Sequence, residues 1–332
     1  MKPDLLLARH GGLDCPAGGF TIDPVRPADV AVITHAHADH ARPGSTVFHC
    51  AREGAQYTRA RVGEDATIIT HDWGEPFELG ATRVSLHPAG HIRGAAQVRV
   101  TGPDDVWVVS GDYKREADPT CSPFEVVSCD VFVTEATFAL PIYRWPATAE
   151  VVEDIWHWWQ KLRNQGRTAM LFCYALGKAQ RLLAELKAYT DGPIYVHGAL
   201  EALTEAYARD GVAMPELVNA TQTQHPDGFA GELVLAPPSA SRSAWMKRFR
   251  KPETAFASGW MRIRGMRRGR GWDRGFVLSD HVDWPGIIKT VKQTGARRVL
   301  ATHGRTDMLV RYLQERGLDA AALATAYGDE DD

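Results

Sequence analysis

The chain has 332 residues, 44% of them hydrophobic and 24% charged, with a net charge of −3. That length admits two domains, or one with a large insertion, and the composition is that of an ordinary soluble globular protein. No window approaches a membrane span, and the overall charge does not advertise a nucleic-acid binder.

The N-terminal apolar run, within Met1 to Arg9, is too short for a signal peptide. The five cysteines are odd in number and scattered, without a Cys-x-x-Cys pair. Such usage fits a reducing cytoplasm and argues against both a disulfide framework and a thiolate metal site.

Residues 5 to 30 read as short strands and turns, with Phe20-Thr21-Ile22 running into Asp23-Pro24. Asp23 either orients a nearby ligand histidine or belongs to a simple Asp-Pro turn. Val30, Val32 and Ile33 then form an apolar β-branched run, read as a buried strand. Directly after it stand His35, His37, Asp39 and His40, four metal-capable side chains within six positions. Two imidazoles one residue apart at a strand end can point at one ion, and the Asp and His that follow can turn toward a second. Borderline divalent metals favour this mixture of imidazole and carboxylate.

From 46 to 110 short alternating runs, broken by Gly and Pro, predict an antiparallel or mixed sheet. Two connections there carry chemistry. His91 lies between Gly90 and Gly94 in a loop, and Asp112 follows the strand that ends at Ser110. Val131 to Thr134 repeats the arrangement, with Glu135 at the strand end. A metal pair needs ligands from several strand ends, so these isolated residues gain meaning from the His35–His40 cluster.

The composition then shifts. The spacing of Val152, Ile155, Trp156, Trp159 and Leu162 predicts a helix over 149–165. From 167 to 240 strands alternate with helices, which implies a small parallel sheet with covered faces. Lys178 and Arg181 lie where a strand passes into a helix, a place suited to a phosphate.

Residues 242–274 carry many Lys and Arg against only Glu253 and Asp273, together with Trp245, Trp260 and Trp272. The stretch is read as a phosphate-tracking surface with aromatics for unstacked bases, in preference to a solvated loop. Further on, Gly275 to Asp280 leads into His281, a helix is predicted near 285–294, and the strand from Arg298 to Thr302 ends at His303.

His35-x-His37-x-Asp39-His40, with His91, Asp112 and His303, resembles the metal motifs of the metallo-β-lactamase superfamily. Glu135 and Ser279-Asp280-His281, with the βα stretch between them, resemble its β-CASP branch of nucleases. That branch includes DNA cross-link-repair exonucleases and RNA 3′-end-processing endonucleases. Phe20-Thr21-Ile22-Asp23 looks like the DNA-repair members, and nearly the whole chain resembles the bacterial ligase-associated DNA exonucleases.

The resemblance implies an α/β protein: a metallo-β-lactamase αββα sandwich over 1–140 and 277–332, with an inserted β-CASP α/β domain over 141–276. DNA would pass through the cleft between the two. His35, His37, His91 and Asp112 would hold the first of two divalent metal ions, Zn or Mn. Asp39, His40, Asp112 and His303 would hold the second, with Asp112 bridging. Asp39, Glu135 and His281 would form the catalytic set, His281 giving the leaving oxygen its proton, and Asp23 would orient a ligand. Lys178, Arg262, Arg264, Arg267, Arg268 and Arg270 would hold the nucleic acid. One departure is Arg93, where relatives often have an apolar residue.

The implied function is a metal-dependent DNA exonuclease that hydrolyses phosphodiester bonds by a two-metal mechanism in repair or end processing. It would act in the cytoplasm on single-stranded or free-ended DNA, with no membrane. A functional association with an ATP-dependent DNA ligase and a helicase is implied as well. The alternatives are a ribonuclease of the same branch, a non-catalytic nucleic-acid-binding scaffold, and a small-molecule hydrolase of the wider superfamily.

Overall fold

A computed structural model describes residues 4–9, 12–263, 265 and 271–323. The chain divides into two compact units, Met1–Arg144 with His281–Asp331, and Trp145–Asp280.

The first unit holds two mixed sheets. One runs β1 (Leu7–Arg9), β2 (Gly12–Cys15), β3 (Phe20–Ile22), β4 (Val30–Val32), β5 (Val47–Ala51) and β6 (Thr67–His71), in that spatial order. Its pairs are antiparallel as far as β3 and parallel from there on. The other contains β7 (Pro76–Leu79), β8 (Thr82–Pro88), β9 (Ala96–Thr101), β10 (Val106–Val109) and β11 (Val131–Glu135). Beside β11 lie β18 (Arg298–Thr302) and then β19 (Asp319–Ala322), far along the chain.

Alternation decides which residues meet between these sheets. Val84 and Leu86 of β8 lie opposite Val100 and Val98 of β9. These four join Trp107, Val109, Val131, Val133 and Leu300 against Leu13, Phe20, Ile22 and Val32 of the other sheet in one core. Side chains spaced by two along a strand share a face, so each sheet presents one apolar side inward. The helix α1 (Ala55–Val62) packs on β5 and β6, with Val62 joining a second apolar cluster around Ala31, Ile33 and Phe48.

The second unit is built on one parallel sheet. Its order is β14 (Leu217–Asn219), β13 (Ile194–Val196), β15 (Leu233–Ala236), β12 (Ala169–Phe172), β16 (Glu253–Ala257), β17 (Arg274–Phe276). Every pair is parallel. Both faces are apolar, as a parallel sheet with covered faces requires. Leu171, Leu235 and Ala255 face α2 (Thr148–Asn164), α3 (Lys178–Leu186) and α4 (Gly198–Arg209), while Met170, Phe172, Val234 and Phe256 fill the opposite core.

The predicted 149–165 helix is α2, with Val151, Val152, Ile155, Trp158, Trp159 and Leu162 buried. Trp156 lies at the edge of this stripe rather than on it, and Trp158 takes the inner place. The predicted 46–110 sheet differs more. Its strands are shared between two sheets, with α1 between β5 and β6, because the parallel crossover needs a connecting helix. Two further helices of the first unit, α5 (Trp284–Thr294) and α6 (Thr306–Gln314), pack on β11 and on β18 with β19. Asp283 caps α5 by accepting a hydrogen bond from Gly286 N–H at 2.9 Å.

Candidate metal centre

Strands β10, β11 and β18 are parallel neighbours, with Val109 beside Val133 and Glu135 beside Thr302. Their carboxyl ends therefore share one edge, where open α/β sheets place their ligands. Asp112 follows β10, Glu135 ends β11 and His303 follows β18. β8 runs with β10, since both are antiparallel to β9, so the loop bearing His91 leaves at the same edge. His35 to His40 come from the other sheet, after β4. The two sheets are tied here by Ala96 N–H donating to Thr34 O at 2.8 Å. Gly111 needs its missing Cβ: its φ is +55°, and an added carbon would stand 2.7 Å from the Thr34 side chain.

The side chains converge in three groups whose donor atoms lie within 4.8 Å of one another: His35, His37, His91 and Asp112; Asp39, His40 and His303; Asp112, Glu135 and His281. In the first, His37 Nδ1 lies 3.1 Å from His35 Nε2 and 3.2 Å from His91 Nε2. Asp112 Oδ2 lies 3.3 Å from His35 Nε2 and 3.5 Å from His40 Nε2, so one carboxylate faces two groups. Asp39 Oδ2 is 3.4 Å from His40 Nε2. In the third group His281 Nδ1 lies 2.9 Å from Glu135 Oε2, while Glu135 Oε1 accepts from Tyr113 N–H at 2.8 Å. That commits Nδ1 and leaves Nε2 on the side of the His281 ring away from Glu135.

Asp23 sits behind the second group. It accepts hydrogen bonds from Thr34 N–H (2.8 Å), from the Thr34 hydroxyl (2.5 Å) and from His40 Nδ1 (2.7 Å). The last fixes the orientation of the His40 ring and turns Nε2 toward Asp39 and Asp112. Thr34, which sequence reasoning does not single out, also lies 3.1 Å from His35 Nδ1 through its hydroxyl. Its only sequence signal is its place immediately before His35.

Burial and charge shape this site together. Burial, reinforced by His40, His37 and His91, holds His35 well below the usual imidazole range, in the neutral form that ligates metals. Burial alone would also depress His40, but the Asp112, Asp39 and Asp23 carboxylates outweigh it and hold its proton well above that range. Burial likewise works against the Asp39 carboxylate, yet His40 and His37 keep it below the usual carboxylate range. Several buried carboxylates around imidazoles form an anionic pocket of nitrogen and oxygen donors. That donor set, without thiolate, suits two divalent ions of the borderline class.

Of the proposed nucleic-acid contacts, Lys178 is placed otherwise. It is only 3% exposed, and its Nζ lies 2.8 Å from Asp280 Oδ2. Arg181, 2% exposed, bonds the same carboxylate at 3.0 Å, Ser279 O at 2.8 Å and the Thr148 hydroxyl at 2.5 Å. The ammonium is thus committed to a buried ion pair, which corrects its reading as a phosphate contact. Arg262 is exposed at the end of the 3₁₀ turn Gly259–Arg262. Arg264, Arg267, Arg268 and Arg270 lie outside the described residues.

The tryptophans read as base-stacking partners are also placed otherwise. Trp245, Trp260 and Trp272 pack against the core around Phe172 and Phe256, Trp272 with its ring 4.7 Å from that of Phe172. The apolar side of the parallel sheet needs covering, and these rings cover it.

The site and the sheets mark an α/β protein with a pair of candidate metal groups at one sheet edge. No family model matches the chain. It is 32% identical over 319 residues to a probable DNA ligase of Opitutus terrae, covering 94% of this chain and 30% of that one. It is 32% identical over 127 residues to an endoribonuclease of Aspergillus fumigatus, covering 37% of this chain and 14% of that one. A ribonuclease of Thermus thermophilus is 29% identical over 210 residues, 53% of this chain and 48% of that one. The chain thus spans less than half the length of each of these relatives. A solved protein of unknown function from Enterococcus faecalis shares the fold at a TM-score of 0.56 and 11% identity, over 90% of this chain and 80% of that one.

The chain resembles the nucleases of the β-CASP metallo-β-lactamase family. Among its described residues no helix is long and apolar enough to cross a membrane, and its five cysteines are unbridged.

Proposed function

We propose that this protein is a metal-dependent DNA exonuclease. Its first unit is read as the αββα sandwich of the metallo-β-lactamase fold and its second as the inserted β-CASP domain. The observation that carries the reading is the position of Asp112, whose Oδ2 faces both His35 Nε2 at 3.3 Å and His40 Nε2 at 3.5 Å. A carboxylate so placed can serve two ions at once. His35, His37, His91 and Asp112 would hold one, and Asp39, His40, Asp112 and His303 the other.

Two Zn²⁺ or Mn²⁺ ions held there would activate a water and neutralise charge on a phosphodiester. The chain's own residues do the rest. Asp23 holds the His40 ring in one orientation. Glu135, itself fixed by Tyr113 N–H, accepts from His281 Nδ1 and so sets the orientation of the ring and its Nε2. The Nε2 proton would pass to the leaving oxygen, so His281 acts as general acid and Glu135 as its orienting partner.

The preference for DNA is supported by the extent of similarity: 94% of the chain aligns with a relative named as a DNA ligase. That likeness also supports action in end processing alongside a DNA ligase. The ribonuclease reading is favoured by the names of the relatives that match 37% and 53% of the chain. End-labelled single-stranded DNA and RNA of equal sequence, digested side by side with Mn²⁺, Zn²⁺ or Mg²⁺, separate the two. The expected result is stepwise shortening of DNA with RNA left largely intact; faster cleavage of RNA would overturn the DNA assignment.

A further inference from the structure

Arg93 lies two residues past His91, on the loop between β8 and β9. Its Nη1 stands 3.1 Å from Glu53 Oε1, with the two side chains only 19% and 14% exposed. The other Glu53 oxygen, Oε2, accepts from Trp73 Nε1–H at 3.1 Å and from the Ser122 hydroxyl at 2.7 Å. One carboxylate therefore gathers the 3₁₀ turn Arg52–Gly54, the turn at Trp73, the loop at Ser122 and the His91 loop.

The backbone repeats the same tie. Gly94 has φ +76°, and a Cβ there would stand 2.1 Å from Gly54 Cα, so the His91 loop is seated directly on the residue after Glu53. The near side of the loop is held too. Lys114 N–H donates to Ala89 O at 3.0 Å, and a Cβ on Gly90 would meet Lys114 O at 2.5 Å. His91 is thus suspended between two clamps and is 2% exposed.

We propose that Glu53 and Arg93 are positioning residues for His91, a tie that sets how firmly the first metal group closes. The inference rests on the reading of His91 as a metal ligand. Arg93 suits this role better than direct capture of a substrate phosphate, because its guanidinium is paired with a carboxylate inside a partly dehydrated contact. An arginine so neutralised is a weak anion site, whereas a guanidinium held by a charge-assisted contact to a fixed carboxylate is a geometric link.

The test measures metal affinity by chelator competition on the full chain, with Zn²⁺ as the probe, in Glu53→Gln, Arg93→Met, Arg93→Lys and the double variant. His91→Ala is the reference. His91→Ala is expected to lose one of two ions. Glu53→Gln and Arg93→Met should each weaken one ion by on the order of 10–100-fold, as loss of a ligand-orienting partner does. The double variant should be no worse than either single one, because the two share one tie, and Arg93→Lys should recover part of the loss.

Metal affinities within about twofold of the unaltered protein in both single variants, or strictly additive losses, would overturn the proposal. So would a rise in KM for DNA in Arg93→Met with metal affinity unchanged, which marks a substrate contact. Retention of both ions by His91→Ala brings down the ligand reading itself, a failure distinct from the others.

Discussion

Asp23 serves three donors with two oxygens, and its backbone sits at φ +46°. Asn tolerates that conformation, so Asp23→Asn keeps the chain path while replacing one acceptor with an NH₂ group. The expected outcome is a folded protein whose metal affinity falls on the order of 10–100-fold, read by metal content after dialysis. Unchanged metal content would remove Asp23 from the site. Asp112→Asn should go further and cost both ions, because this one carboxylate faces two donor groups. Loss of a single ion would assign Asp112 to one group only.

A different residue-scale consequence arises away from the site. His49 Nδ1 and His71 Nε2 lie 2.8 Å apart, with both rings stacked on Phe77. Burial, with His71 adding to it, pushes His49 down to about 4 from the ordinary 6.5. As pH falls, the unfolded chain therefore takes up this proton before the folded one does. The stability it contributes is complete above pH 6.5, declines between 6.5 and about 4, and changes no further below. The slope is at most about 1.4 kcal/mol per pH unit. Thermal unfolding in chelator, followed from about pH 7.5 to about pH 5, should show a shallower decline in His49→Gln than in the unaltered protein. Equal slopes would dismiss the pair as a stability determinant.

At the scale of elements, the placing of chemistry at strand ends was legible in the sequence. An apolar run followed within a few residues by His, Asp or Glu is a local pattern, and it recurs at His35, Asp112, Glu135 and His303. Lys178 was not legible, because its partner Asp280 lies far along the chain and a basic residue opening a helix reads locally as a phosphate site. The tryptophans of 242–274 misled for the same reason: the apolar sheet face that receives them is assembled from distant strands. Helix α1 escaped notice because Ala-Gln-Tyr-Thr-Arg-Ala-Arg-Val carries too few apolar residues to show a helical period.

The buried network on α3 yields a prediction of its own. Asp280 pairs with both Lys178 and Arg181, so Asp280→Asn removes a shared counter-charge from two buried cations. Breaking a buried pair in this way costs about 3–5 kcal/mol. Urea denaturation followed by tryptophan fluorescence should report that loss, and a change below about 1 kcal/mol would mean that the network is solvated on demand.

For the whole molecule, the two units differ in how the chain builds them. The second is continuous in sequence, Trp145–Asp280, whereas the first is interrupted by it. β11 pairs with β18 across that interval, so the first unit cannot close its second sheet until residues beyond Arg298 are present. Residues 145–280 produced alone should therefore unfold cooperatively, and residues 1–144 alone should not. Chelation should lower the unfolding midpoint of the first unit only, since ligands stabilise the unit that binds them. A fall in both, resolved by hydrogen exchange, would place metal binding elsewhere.

The late position of His303 has a consequence for synthesis. During translation Asp39 and His40 emerge early, yet the third member of their group follows β18, after the entire second unit has left the ribosome. Domains fold as they emerge, so the second unit can be finished while the Asp39–His40 group still lacks its third member. On the proposed ligand set a nascent or truncated chain ending before His303 holds an incomplete pair. On that reading the second group can serve attack on nucleic acid only after the chain has been made past β18.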